Sequence, residues 1–189
     1  MKVGIIDLNS GNLLSMISAT QNTGYETVVL TKPSENVDVL VMPGQGRFGF
    51  VASQLNKNNW RNFILDWVSQ GNKFIGVCVG MQLLFEKSDE DNTAQGLGLL
   101  TGTIKKLQHV KTPMVGWAKL HSDLDFYKDQ YVYFVNSYGI PQSESCIASV
   151  NYGNDFCAIV QKDNVLGFQF HPEKSGDYGL NLLKKALEK

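Results

Sequence analysis

Through the first half of the chain, short apolar runs alternate with longer runs in which apolar residues recur every three or four positions. Val3 to Asp7 reads as a buried strand and Gly11 to Thr23 as a helix. Thr27 to Leu30 and Val37 to Met42 read as further strands, both rich in valine. Trp60, Phe63, Ile64, Trp67 and Val68 fall at the i, i+3, i+4, i+7, i+8 spacing of a core-facing helical stripe. Phe74 to Val77 predicts another strand, and Met81 to Lys87 another helix. Strands alternating with helices predict right-handed βαβ units and a parallel sheet covered on both faces. From Leu97 onward the pattern turns to strands: Leu99–Leu107, Trp117–His121, Tyr131–Asn136, Ile147–Asn151, Ala158–Lys162 and Val165–Phe170. A helix over Gly179–Glu188 closes the chain. With no repeat and no linker, the expectation is one mixed α/β domain over residues 1–189.

Composition narrows the class. The formal net charge is -1, and neither half carries a block of basic residues, which argues against nucleic-acid or membrane-surface binding by bulk charge. The first apolar run stops at Asp7, too early for the core of a signal peptide, and no later run approaches a membrane span. The 3 cysteines, Cys78, Cys146 and Cys157, are widely spaced without any CxxC, so neither a disulfide framework nor a structural zinc site is supported. A reduced, cytoplasmic, soluble domain without metal or cofactor is expected.

The chemistry concentrates in two places. In Phe74-Ile-Gly-Val-Cys78-Val-Gly80-Met-Gln82, an apolar strand runs into a helix with Cys78 at the junction, inside Gly-x-Cys-x-Gly. A nucleophile on a strained turn needs small neighbours, and a helix N-terminus favours a thiolate. The amide of Val79 then stands ready for an oxyanion. A structural cysteine between packing glycines explains the same segment equally well on its own. Of the histidines, His109 lies among lysines in what reads as a solvated hairpin, and His121 follows a strand; neither sits in a motif. His171 ends the last apolar strand and is followed by Pro172 and Glu173. Ligands gather at the carboxyl ends of parallel strands, where Cys78 and His171 both fall. Proline forces a turn that lets Glu173 fold back and orient an imidazole base. The literal Gly-x-Gly-x-x-Gly of Gly44 to Gly49 follows too late a strand for dinucleotide binding. It reads instead as a loop whose amides can turn towards an oxyanion.

Taken together, Gly76-Val-Cys78-Val-Gly80-Met-Gln82 and the distant His171-Pro-Glu173 resemble the triad, or class I, glutamine amidotransferases. Further segments lie in the expected order: Asp7 with Ser10 to Leu13, Pro43 to Gly46, Gly96 to Gly98, Gly116-Trp117, Tyr133 to Tyr138, and Gly167 to Ser175. The resemblance covers nearly the whole chain and is similar in particular to the glutaminase subunits of imidazole glycerol phosphate synthase. It implies a flavodoxin-like α/β fold with a mostly parallel central sheet and added antiparallel strands in the second half. It further implies that Cys78 attacks glutamine, His171 moves protons and Glu173 orients it, with an oxyanion hole from the amides of Gln45 and Val79. Gly44, Gly46, Gln82, Asn136, Ser137 and Tyr138 would bind glutamine. Ammonia would pass into a (β/α)8-barrel synthase subunit of a heterodimer in histidine biosynthesis, with Asn12, Trp117 and Lys174 as interface or gate. Three positions depart from the family pattern: Asn136 and Met114 stand where histidines are usual, and Ala118 where asparagine is. A paralogue feeding another ammonia acceptor, such as an amidino-sugar pathway, and a flavodoxin-like cysteine hydrolase of peptidase or deglycase type are the alternatives.

Overall fold

The computed structural model describes residues 1–9 and 13–188. The first half runs β1 (Lys2–Ile6), α1 (Leu13–Asn22), β2 (Glu26–Leu30), β3 (Val39–Gly44), α2 (Phe48–Asn56), α3 (Trp60–Ser69), β4 (Lys73–Cys78) and a single turn of helix, α4 (Val79–Gln82). The second half adds β5 (Lys87–Ser88), β6 (Thr103–Lys106), β7 (Met114–Lys119), β8 (Tyr131–Asn136), β9 (Tyr138–Gly139), β10 (Cys146–Tyr152), β11 (Asn154–Lys162), β12 (Val165–Phe168) and α5 (Gly176–Leu187).

Among the described residues, the main sheet has seven strands in the order β10-β11-β12-β4-β3-β1-β2. β2, β1, β3, β4 and β12 are parallel neighbours, and β11 and β10 continue the sheet antiparallel. Val39 to Met42 of β3 and Phe74 and Ile75 of β4 are fully buried, as expected for strands covered on both faces. Gly44 pairs with Cys78, and Phe168 with Val77, so β3, β4 and β12 end side by side. Whatever follows those three strands shares one edge of the sheet.

Several elements differ from the sequence expectation: the strand expected over Leu99–Leu107 is the shorter β6, and the one expected over Trp117–His121 starts earlier, at Met114, as β7. The glycine loop ends sooner than expected, because Phe48, Val51, Ala52 and Leu55 sit at helical spacing and are buried on one face of α2. The helix expected to reach Lys87 stops after one turn. The carbonyls of Leu83, Leu84, Phe85 and Glu86 accept instead from the amides of Leu97, Leu100, Gly98 and Gly96. That docking needs glycine at position 96, where a Cβ would lie 1.9 Å from the Phe85 oxygen.

Candidate active site

β4 is buried from Phe74 to Cys78, and the chain reverses at Cys78 with φ 56 and ψ -115. A left-handed conformation at a residue with a Cβ costs about 1–3 kcal/mol and persists only where its surroundings enforce it. Here backbone does so. A Cβ on Gly80 would lie 1.9 Å from the Met42 oxygen, and one on Gly76 would lie 2.6 Å from the Gly80 oxygen. Only glycine lets the elbow sit this close to β3 and β4.

His171 is fixed from the other side. Its amide donates to the Tyr133 oxygen at 2.9 Å, which docks the segment after β12 onto β8. The turn Pro172–Lys174 then brings Glu173 back onto the ring, Nδ1 to Oε1 at 2.8 Å, with the two side chains 4% and 3% exposed. Ser175 completes the frame: its hydroxyl donates to the His171 oxygen at 2.7 Å and accepts from the Tyr133 amide at 3.0 Å. Cys78 and the imidazole line the same cavity, and with Nδ1 taken by Glu173 the nitrogen left to the thiol is Nε2.

Cys78 and His171 open onto a cavity of about 330 Å3. Gln45, Gly46, Val79, Gln82, Asn136, Ser137 and Tyr138 line it. Gly44 stands just behind, paired with Cys78. Trp117 and Lys174 are exposed outside the cavity, and Asn12 lies outside the described residues. Gln82 spends both amide protons, on the Tyr138 oxygen at 2.9 Å and Gln169 Oε1 at 3.1 Å, which leaves its own oxygen for the cavity. Among the described residues no three His, Cys, Asp or Glu side chains converge to hold a metal ion, and no helix is long and apolar enough to cross a membrane.

The sequence model of the family "Glutamine amidotransferase class-I" matches residues 5–189. The chain belongs to the class I glutamine amidotransferases. Within them it is 41% identical over 190 residues to imidazole glycerol phosphate synthase subunit HisH of Staphylococcus aureus (strain bovine RF122 / ET3-1), covering 97% of this chain and 95% of that one. The same subunit of Bacillus subtilis (strain 168) is 40% identical over 197 residues, covering 96% and 93%. At that identity and coverage the chain groups with the HisH subunits. The crystal structure of a glutamine amidotransferase shares the fold, with a TM-score of 0.79 over 96% of each chain at 19% identity.

For a class I glutamine amidotransferase, the electrostatics of the His171 pocket are informative. Burial alone would lower the imidazole pKa, but hydrogen bonds and charge from Cys78 and Glu173 outweigh it and raise it to about 10. Both partners favour the charged form of the ring. Sequence reading missed four residues of this neighbourhood. Glu90 and Pro113 line the cavity, and so does Val135, whose oxygen lies 3.9 Å from the Cys78 sulfur. Ser175 braces His171. Glu90 could have been noticed as an acid shortly after the elbow; Pro113, Val135 and Ser175 lie in or beside segments that carry the family resemblance, but no role follows for them before the strands are paired.

Proposed function

We propose that Cys78 attacks the side-chain amide of glutamine as a thiolate, with His171 as proton carrier and Glu173 as its orienting carboxylate. The thiolate adds to the carbonyl, and the oxyanion that forms is held by the amides of Val79 and Gln45. His171 gives its proton to the amide nitrogen, the C–N bond breaks, and ammonia leaves a γ-glutamyl thioester. Neutral His171 then takes a proton from water, hydroxide adds to the thioester, and glutamate departs with Cys78 restored as thiolate. Cys78 and His171 on the wall of one cavity, with His171 held by Glu173 at 2.8 Å, is the observation that carries this reading. Among the described residues Glu90 is the one carboxylate lining that cavity and suits the α-ammonium of glutamine, while the Gln82 oxygen suits an N–H of the substrate.

The ammonia, on this reading, passes to a (β/α)8-barrel synthase subunit that makes imidazole glycerol phosphate and aminoimidazole carboxamide ribotide in histidine biosynthesis. Support comes from the HisH relatives and from an exposed ladder on the β7–β8 ribbon. Val115 pairs with Val135, Trp117 with Tyr133, and Lys119 with Tyr131. Val115, Trp117 and Tyr131 are more than half exposed. Such an uncovered aromatic face beside an active site suits a partner. Trp117 and the exposed Lys174 are proposed as contacts there, and Asn12 as a third. Two of the departures from the family pattern, Met114 and Asn136, face each other across this ribbon, so they form one altered pair.

The test is glutamate release from glutamine with and without the barrel subunit and its ribulosyl-phosphate ligand. Strong stimulation by both together is expected. Hydrolysis indifferent to that partner would retain the glutaminase and overturn the acceptor, pointing to another ammonia-consuming reaction.

A further inference from the structure

The cavity wall contributed by Gln45 and Gly46 is a short span between two anchors. The near anchor is Gly44, which pairs with Cys78 and sits so close to the elbow that a Cβ would lie 2.9 Å from the Gly80 nitrogen. The far anchor is Phe48, fully buried at the start of α2, whose amide donates to Glu90 Oε2 at 2.7 Å. Between them, Gly46 has φ 96, is exposed, and has nothing within 4 Å of where a Cβ would stand. With both ends fixed, the freedom left to this span is rotation of its peptide planes.

α2 has no cap of its own. Its N-cap residue is Arg47, which makes no side-chain cap bond, and its first turn holds no acid. Glu90 supplies the missing acceptor from 42 residues away, at the end of the helix where a negative charge is favoured. The turn that carries Glu90 is itself braced. The Glu90 amide donates to Ser88 Oγ at 3.2 Å, and Asp91 Oδ1 accepts from the amide and hydroxyl of Thr93. Asp91 also packs against Gly49, where a Cβ would meet Oδ2 at 1.9 Å. The carboxylate therefore approaches α2 from a stiff turn and at the same time lines the cavity.

We infer that Glu90 is a positioning residue: by clamping the Phe48 amide it sets the peptide planes of Gln45 and Gly46, and so aims the Gln45 amide at the reacting carbonyl. This rests on the glutaminase reading above. The same carboxylate faces the substrate, so charge and reach serve two separable ends. Charge holds the glutamine ammonium; reach holds the loop.

Two conservative variants separate these in the full chain with its barrel partner, with L-glutamine as substrate. Glu90→Gln keeps an oxygen at the same reach without the charge, so KM should rise while kcat stays within about threefold of wild type. Glu90→Asp keeps the charge but withdraws it by one methylene, so kcat should fall about tenfold with a smaller change in KM. Hydrogen exchange at the Phe48 amide should remain slow in Glu90→Gln and become fast in Glu90→Asp. A rise in KM alone in both variants would overturn the clamp and leave Glu90 a substrate ligand only. Unchanged exchange at Phe48 in Glu90→Asp would overturn it as well. Should wild type release no glutamate, the glutaminase reading fails, while exchange at Phe48 still decides the clamp.

Discussion

At the elbow, Cys78 and His171 are 5% and 3% exposed, and the surroundings that hold them are largely backbone: glycines at van der Waals limits, carbonyls in place of side chains. One layer away, the β7–β8 ribbon leaves Trp117 55% exposed and Val115 59% exposed, with no covering element among the described residues. The contrast teaches where each kind of work is done. Chemistry needs a nucleophile whose geometry cannot relax, so the sheet closes around it. Recognition by another protein needs apolar surface that stays uncovered until that protein arrives. Tyr133 joins the two: its ring meets Trp117 edge-on at 5.8 Å, and its main chain bonds both His171 and Ser175.

The sharpest way to separate these regions is to remove the sulfur alone. Cys78→Ala should lower glutamine hydrolysis by at least about 10^4-fold, as expected when one member of a catalytic triad is lost. Because the elbow is set by Gly76, Gly80 and their backbone contacts, the melting temperature and partner binding should hardly change. Residual hydrolysis near wild-type level would remove Cys78 from the mechanism.

Replacing the orienting carboxylate tests the same closed region more gently. Glu173→Gln keeps a hydrogen-bonding oxygen but removes an anion, and kcat should fall about 10^2-fold. The imidazolium loses one of the partners that raise it to about 10, so the alkaline limb of kcat/KM should move to lower pH. Stability follows the same sign. A group raised above its unfolded value of 6.5 contributes fully below that pH, and the contribution is lost as pH rises through about 10. Urea unfolding of wild type should thus weaken across that window, and the variant should show a flatter profile. An alkaline limb that stays in place in the variant would mean that Glu173 does not set the charge on His171.

Legibility in the sequence divided along the same line. The closed region could be read because its determinants are local. An apolar run meeting Gly-x-Cys-x-Gly, and a strand ending in His-Pro-Glu, each carry their geometry within a few residues. The fold class followed from the alternation of periods, and Tyr131–Asn136 was read to its ends. Features made by distant segments were not legible. α4 stops because residues 96 to 100 take the carbonyls of Leu83 to Glu86 that would have extended it, and Ser175 matters because β8 passes beside it. Trp117 read as the start of a strand, yet it lies inside β7, which begins at Met114 and places Tyr133 opposite it. α2 was readable from Phe48, Val51, Ala52 and Leu55 but was hidden by the glycines before it.

On the open side, Trp117→Ala should leave stability within about 0.5 kcal/mol, as for most exposed positions. Its effect should appear in the complex, as a rise of about tenfold in the dissociation constant for the barrel subunit, the usual cost of truncating one aromatic anchor. Basal hydrolysis should barely change. Equal affinity before and after the substitution would take the ribbon out of the interface.

The smallest expected effect concerns the joint itself. Ser175 is 2% exposed, and its hydroxyl stands between the Tyr133 amide and the His171 carbonyl. Ser175→Ala leaves that amide buried without its acceptor, which costs about 1–3 kcal/mol in stability. The direct bond from the His171 amide to the Tyr133 oxygen survives, so the triad keeps one of its two ties to the ribbon. Basal glutaminase should therefore fall only about threefold, since the ring and Glu173 stay paired. If the partner acts on the triad by pressing on the ribbon, the tie through Ser175 carries part of that push. Stimulation by the barrel subunit should then fall further than basal activity does. Equal losses in both would make Ser175 a brace for His171 and nothing more, and coupling would have to run through the Tyr133 oxygen alone.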